Sequence, residues 1–178
     1  MSEIQVLDKT FNTLIPKENI QERIKEIALQ INEEMKDKNP LFLAVLNGSF
    51  IFAADLCRHL TIRHEISFVK LASYEGTSST GNIKQMIGLS CDLKNRHVII
   101  LEDIIDTGLT MKYLLEQLTK QSPASLQICT LLNKPAKRKV PIDIKYIAFN
   151  IPNGFVVGYG MDYDQQGRNL NEIYTLKK

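Results

Sequence analysis

The chain has 178 residues, no tryptophan, three cysteines, six prolines and a formal net charge of only +2. Each scarcity removes a class of protein. Cys57, Cys91 and Cys129 are odd in number and lack CxxC spacing, so neither a disulfide framework nor a cysteine zinc site is written here. Reduced thiols in a cytoplasmic protein are the expected state. No apolar stretch approaches the roughly 20 residues that cross a bilayer. The start, MSEIQVLDKTF, lacks a basic segment followed by an apolar run, so no signal peptide is expected. Asn47-Gly48-Ser49 is then a glycosylation sequon by chance alone. The balanced charge offers no broad basic face for nucleic acid. The tail of the one basic cluster, Lys134 to Lys139 (KPAKRK), reads as a solvated loop between strands. His59, His64 and His97 fall outside every motif, and no histidine-centred or zinc chemistry is expected from them.

What is present is an α/β pattern on a chain long enough to bury a core without cross-links. Hydrophobic residues make up 44% and charged residues 24%, the balance of a soluble globular protein. Beyond Pro16, the side chains of Ile20, Ile24, Ile27, Ala28, Ile31 and Met35 share one face, which predicts a helix over 17–37. Leu41 to Leu46 is a continuous apolar strand that ends in the turn Asn47-Gly48-Ser49. Residues 50–60 read as a helix whose apolar face suits a core or an interface equally well. Residues 62–71 and 84–89 read as strands, and 126–132, 146–151 and 155–158 as further apolar pieces. Strands alternating with helices predict a central, mostly parallel sheet flanked by helices. The last thirty residues break that rhythm and suggest a small appended subdomain.

The most informative segment is Val98 to Thr110, VIILEDIIDTGLT. Four apolar residues lead into Glu102 and Asp103. The period then changes, and Met111, Leu114, Leu115 and Leu118 mark a helix face. A strand that ends in acids and turns into a helix N-terminus brings carboxylates and backbone N–H groups to one spot. Sugar hydroxyls suit the former and a phosphate the latter. Gly108 lets a phosphate approach the backbone, while Thr107 and Thr110 add hydroxyls. A plain helix cap with Asp106 or Thr107 as N-cap is the bland reading. It leaves Glu102 and Asp103 unexplained. No GxxxxGK[ST] sequence occurs, so this is no Walker phosphate loop.

VIILEDIIDTGLT resembles the phosphoribosyl-pyrophosphate motif of the purine phosphoribosyltransferases, in particular the hypoxanthine-guanine branch. Four further segments resemble that family in the same order, over roughly residues 10–176. Leu46-Asn47-Gly48-Ser49 falls at its pyrophosphate loop. Ser73-Tyr74 with Ser78-Ser79-Thr80-Gly81 is similar to its mobile catalytic loop, and Leu131-Leu132-Asn133-Lys134 carries its base-reading lysine. Phe155-Val156-Val157-Gly158-Tyr159, Met161-Asp162-Tyr163 and Arg168-Asn169-Leu170 resemble its base-binding hood.

The resemblance implies a type I phosphoribosyltransferase fold in a single domain over 1–178. Its core would span about 17–140 and its hood about 1–16 and 141–178. It also implies the roles. Glu102 and Asp103 accept hydrogen bonds from the ribose hydroxyls with Mg²⁺ nearby, and Asp106 is the general base facing N7 of the purine. The residues Thr107, Gly108, Leu109 and Thr110 cradle the 5′-phosphate. Asn47, Gly48 and Arg168 meet pyrophosphate, and Asp162 reaches a second Mg²⁺. Lys134 donates to O6, Phe155 stacks on the ring, and the Val156 main chain faces its edge. Ser73 and Tyr74 begin the lid. The implied reaction gives IMP (or GMP) and pyrophosphate from hypoxanthine (or guanine) and phosphoribosyl pyrophosphate. The implied assembly is a dimer or tetramer, with no nucleic-acid or membrane partner. A nucleotide-sensing regulator that binds RNA or DNA, and an enzyme preferring xanthine, are the alternatives. The chain departs from the family at Asn47, where many members have lysine, and at Gly154, where some do. Pyrophosphate contacts would then lean more on Arg168.

Overall fold

The continuous apolar runs form the middle of a six-stranded sheet in the computed structural model of the chain, which describes residues 2–73, 84–89 and 91–177. The elements are β1 (Glu3–Val6), β2 (Lys9–Ile15), α1 (Lys17–Glu34), β3 (Leu41–Leu46), α2 (Phe50–His59), β4 (Glu65–Ser73) and β5 (Lys84–Ile87). They continue as β6 (His97–Ile105), α3 (Leu109–Thr119), β7 (Ser125–Asn133), β8 (Tyr146–Asn150), β9 (Val156–Val157) and β10 (Ile173–Leu176). The large sheet runs β5-β4-β3-β6-β7-β8. Its last five members are parallel, and β5 lies antiparallel on the edge.

Both faces of this sheet are covered, which is why its strands read as unbroken apolar runs. Alternation along β6 sends Ile99 and Leu101 to one side and Val98 and Ile100 to the other. The first side meets Ile20, Ile24, Ile27 and Ile31 of α1 with Phe52 and Leu56 of α2. The second meets Met111, Leu114 and Leu118 of α3. Phe52, Ala53 and Leu56 of α2 therefore belong to the core, while Phe50 at its start stays exposed.

A smaller antiparallel sheet, β1-β2-β10-β9, joins the two ends of the chain around Val6, Phe11, Val157 and Tyr174. The hairpin of β1 and β2 was not visible as strands in the sequence. Its pairing partner β10 lies more than 150 residues away (Thr175 opposite Asn12), and no local period announces such a pairing.

Several boundaries shift. The first helix ends at Glu34 instead of 37, and the strand expected from 62 begins at Glu65. The stretch Tyr146–Asn150 lies inside the segment assigned to the hood, yet it pairs with β7 as the last strand of the large sheet. Strand β6 runs on through Glu102 and Asp103 to Ile105, so the acids sit within the strand and not after it.

Phe52 is fully buried between α1 and the sheet, whereas Leu29 on α1 is 69% exposed. Phe52→Ala should cost about 3–5 kcal/mol and lower the thermal midpoint by roughly 10 °C. Leu29→Ala should move the midpoint by no more than about 2 °C. Thermal melts followed by circular dichroism check both values.

Candidate active site

The sheet splits at its carboxyl end. Pairing of β3 with β6 stops at Ala44 opposite Leu101, while β3 follows β4 to Leu46 and β6 follows β7 to Ile105. Beyond Leu101 the two central strands part, and Glu102 and Asp103 lie at the opening. A crevice of this kind is where open α/β sheets take their ligands.

The turn Asn47-Gly48-Ser49 fills one wall, and the Leu46–Asn47 peptide within it is cis. Gly48 is the only residue type that fits there: a Cβ on it would lie 1.6 Å from Asp103 Oδ2. The Asp103 side chain keeps some exposed surface, but its carboxyl packs against this backbone. Burial pushes that carboxyl above its ordinary value of 3.8. The Ile104 N–H (2.9 Å to Oδ1), a hydrogen bond with Glu102 and the charge of Arg168 oppose the shift.

Arg168 is itself tied down. Its Nη1 donates to the Gly160 carbonyl at 2.9 Å, and its Nη2 lies 2.7 Å from Asp162 Oδ1. The second oxygen of Asp162 accepts from the Gln165 N–H at 2.8 Å. Asn47, Gly48, Asp103, Asp162 and Arg168 thus belong to one neighbourhood. Among the described residues, no three His, Cys, Asp or Glu side chains gather as a ready metal cage.

The other half of the site follows β6. Residues 102–111 line a small pocket of about 120 Å³ that includes Glu102, Asp106, Thr107, Gly108 and Thr110. A wider groove of about 720 Å³ on α3, between Lys112, Glu116 and Pro141, contains none of these groups. Gly108 has φ 83, a left-handed conformation that costs glycine little, and it caps α3 in place of Asp106 or Thr107. Leu109 N donates weakly to Thr107 Oγ1 at 3.4 Å. A Cβ on Gly108 would meet the Arg138, Val140 and Ile142 side chains at 3.0–3.1 Å, so glycine lets the 138–142 segment close against this turn.

Lys134 leaves β7 only 4% exposed, and its Nζ donates to the Gly154 carbonyl at 2.7 Å with Asp106 Oδ2 at 3.7 Å. Burial lowers its pKa below the usual lysine range, and the Asp106 carboxylate opposes that shift. The adjoining Phe155 is 44% exposed and meets Tyr163 edge-on at 5.8 Å and Phe11 at 6.2 Å. Val156 is buried and pairs with Thr175 in the small sheet. Lys134 therefore links Asp106 on one side to the Gly154-Phe155 segment on the other.

Three features lay outside the sequence reading. The tail of the basic segment is exposed at Pro135, Ala136, Lys137 and Lys139 between two strands, as expected of a solvated loop, but its ends are tied to the site: Lys134 N donates to Ile105 O at 3.0 Å and Lys139 N to Thr107 O at 2.9 Å. Lys137 Nζ reaches Asp106 Oδ2 at 3.2 Å, and Arg138 donates to Asn133 Oδ1. Phe11, from the other end of the chain, packs against Phe155 and Tyr163 with no local signal to mark it. Ser73 ends β4, while Tyr74 and Ser78 to Gly81 lie outside the described residues.

A parallel sheet split at its carboxyl end and faced by a small antiparallel sheet defines a phosphoribosyltransferase architecture. The chain matches the phosphoribosyl transferase domain over residues 13–164 and belongs to that family. It is 43% identical over 167 residues to the hypoxanthine phosphoribosyltransferase of Escherichia coli, covering 92% of this chain and 94% of that one. It is 41% identical over 181 residues to the hypoxanthine-guanine-xanthine phosphoribosyltransferase of Tritrichomonas foetus, covering 100% and 98%. A crystal structure of a hypoxanthine-guanine phosphoribosyltransferase from Bacillus anthracis matches with a TM-score of 0.87 at 40% identity, covering 93% of this chain and 98% of that one.

The raised pKa of Asp103 gives a stability prediction. In the unfolded chain the carboxyl ionises near 3.8 and in the folded chain only at higher pH, so folding loses stability as pH rises through that window. Asp103→Asn keeps an acceptor for Ile104 N–H and removes the buried charge. In chelator-containing buffer it should raise the thermal midpoint at pH 7.5 by about 2–4 °C. The gain should vanish at pH values below the unfolded pKa. An equal midpoint for both proteins at pH 7.5 would refute the burial argument.

Proposed function

We propose that the chain transfers the 5-phosphoribosyl group of phosphoribosyl pyrophosphate to N9 of a 6-oxopurine. Hypoxanthine and guanine are the bases, and IMP or GMP and pyrophosphate the products. The observation that carries this reading is Lys134, a buried ammonium held between the Gly154 carbonyl and Asp106. A donor fixed there favours a purine with an oxo group at C6 over one with an amino group, which would face another donor. The names of the Escherichia coli and Tritrichomonas foetus relatives support the same substrate class.

The remaining roles follow from position. Phe155, exposed beside Lys134, stacks on the base, and the Val156 main chain meets its edge. Asp106 accepts the proton that the purine sheds at N7, through the enclosed Oδ1 that has no partner in the structure. Residues Thr107 to Thr110 hold the 5′-phosphate at the first turn of α3. Glu102 and Asp103 orient the ribose hydroxyls, and C1 is then presented to the incoming nitrogen as pyrophosphate departs. The transition state has oxocarbenium character, so exclusion of water protects it from hydrolysis. Asn47, Gly48 and Arg168 receive the pyrophosphate.

Mg²⁺ fits the donor set. Glu102 and Asp103 are adjacent carboxylates with no third acid beside them among the described residues. Such a pair leaves several positions for water and substrate oxygens, as this cation prefers. Asp162, already paired with Arg168, retains lone pairs for a second ion on the pyrophosphate side. Mg²⁺ held by these residues would supply positive charge to neutralise what gathers on the leaving group. The reading places the enzyme in the cytoplasm as a homo-oligomer, a dimer or tetramer. No described helix is long and apolar enough to cross a membrane.

Protein incubated with hypoxanthine, phosphoribosyl pyrophosphate and Mg²⁺ should form IMP, and a chelator should abolish the reaction. Absence of product with hypoxanthine, guanine and xanthine alike would end the enzyme reading. Competition among the three bases ranks them, xanthine included because the Tritrichomonas foetus relative carries it in its name. Asp106→Asn should lower kcat by about a hundredfold, the scale of a lost general base. Binding of phosphoribosyl pyrophosphate, measured by calorimetry, should stay within about threefold. Collapse of that binding with normal kcat would assign Asp106 to substrate binding instead.

A further inference from the structure

A polar cluster behind the pyrophosphate side has no part in the chemistry above. Tyr159, buried in the hood, donates its hydroxyl to Asp55 Oδ2 on α2. Gln21 Nε2 on α1 donates to the same oxygen at 2.7 Å and to the Tyr159 hydroxyl at 3.2 Å. Three elements distant in sequence thus meet at one carboxylate. The backbone of Tyr159 has φ 50, between Gly158 at 102 and Gly160 at 99. A tyrosine rarely adopts this left-handed region, so an outside contact must hold it.

We propose that Asp55 and Tyr159, braced by Gln21, are positioning residues that fix the separation of the two walls of the pyrophosphate half-site. Asp55 controls the first wall. Helix α2 starts directly after Asn47-Gly48-Ser49 and is hydrogen-bonded to that turn through Phe50 N to Asn47 O (3.4 Å) and Ala53 N to Ser49 O (2.8 Å). Ser49 Oγ ties the turn back to Val45 O at 2.6 Å. Tyr159 controls the second wall. Its neighbour Gly160 lies so close to the Gly48 carbonyl that a Cβ would come within 2.0 Å of that oxygen. Gly160 also donates its N–H to Arg168 O at 2.9 Å and accepts from Arg168 Nη1. The Asp55–Tyr159 bond therefore closes a ring that runs from turn 47–49 through α2, across to the hood, and back through Gly160 to Gly48. Arg168 is carried on that ring, and its distance from turn 47–49 follows from the clamp.

The inference rests on the assignment of Gly48 and Arg168 to pyrophosphate, and its test separates the two. In the full chain, Tyr159→Phe and Asp55→Ala should each raise KM for phosphoribosyl pyrophosphate about tenfold, the scale of one hydrogen bond to a charged group. The Kd of pyrophosphate itself, by calorimetry, should rise in parallel. KM for hypoxanthine should stay within about twofold. The double variant should be no weaker than the weaker single variant, because both remove one bond. A purely structural role would lower the thermal midpoint and the active fraction without this split between substrates. Unchanged pyrophosphate affinity in both variants, equal loss for both substrates, or additive losses would overturn the clamp. An inactive wild-type chain that still binds pyrophosphate more tightly than Tyr159→Phe would overturn the catalytic reading and leave the clamp standing.

Discussion

Strand β6 lies between β3 and β7 with both faces covered, and the site depends on where that burial ends. As far as Leu101 the strand has a neighbour on each side and a helix layer on each face. Only β7 continues beside it to Ile105. The backbone of Glu102 and Asp103 is thus held in strand geometry by one neighbour, and on the β3 side it opens to the crevice. Carboxylates are tolerated there because the crevice keeps them near water or ligand. One residue earlier, a charge would be enclosed by both layers at a cost of several kcal/mol. The change from VIIL to ED in the sequence marks the same boundary.

Much of this could be read in advance because it depends on local periodicity. The 3.6 spacing of α1, the apolar runs of β3, β6 and β7, and the glycine at 108 each reflect a constraint satisfied by near neighbours. The misread parts depend on distant partners. The β1–β2 hairpin exists because β10 pairs with it. The tail of segment 134–139 is solvated as read, with Pro135, Ala136, Lys137 and Lys139 exposed. Its backbone is nevertheless sewn to Ile105 and Thr107, and its cations face Asp106 and Asn133. Tyr159 stood in a motif recognised for its neighbour Phe155, and nothing in the one-dimensional order shows that its hydroxyl reaches Asp55.

Burial opposes the charged form on both sides of the site. It pushes the Asp103 carboxyl up and lowers the Lys134 pKa. Among the described residues each counter-charge is shared: Asp103 feels the charge of Arg168, itself paired with Asp162, and Lys134 shares Asp106 with Lys137. A ligand that supplies an acceptor at Lys134 and hydroxyls or a cation at Asp103 relieves both. The same desolvation that costs folding stability therefore adds to ligand affinity, which is how a preorganised polar site differs from a structural salt bridge.

Under the proposed roles, Asn47 sharpens this economy on the side assigned to pyrophosphate. A lysine there would bring a mobile cation to the leaving group. With asparagine, the turn offers backbone donors and an amide, and the fixed positive charge on that side rests on Arg168. An arginine works at such a position only if its fork is held, since a freely rotating one surrenders much of each hydrogen bond to side-chain entropy. Gly160 O, Asp162 and Gln165 Oε1 hold the Arg168 fork at 2.9, 2.7 and 3.2 Å. The Asp55–Tyr159 bond in turn holds Gly160 against Gly48. The loss of one cation from the loop thus places the burden of anion recognition on the rigidity of the hood, and the buried hydroxyl of Tyr159 is where that rigidity is anchored to the core.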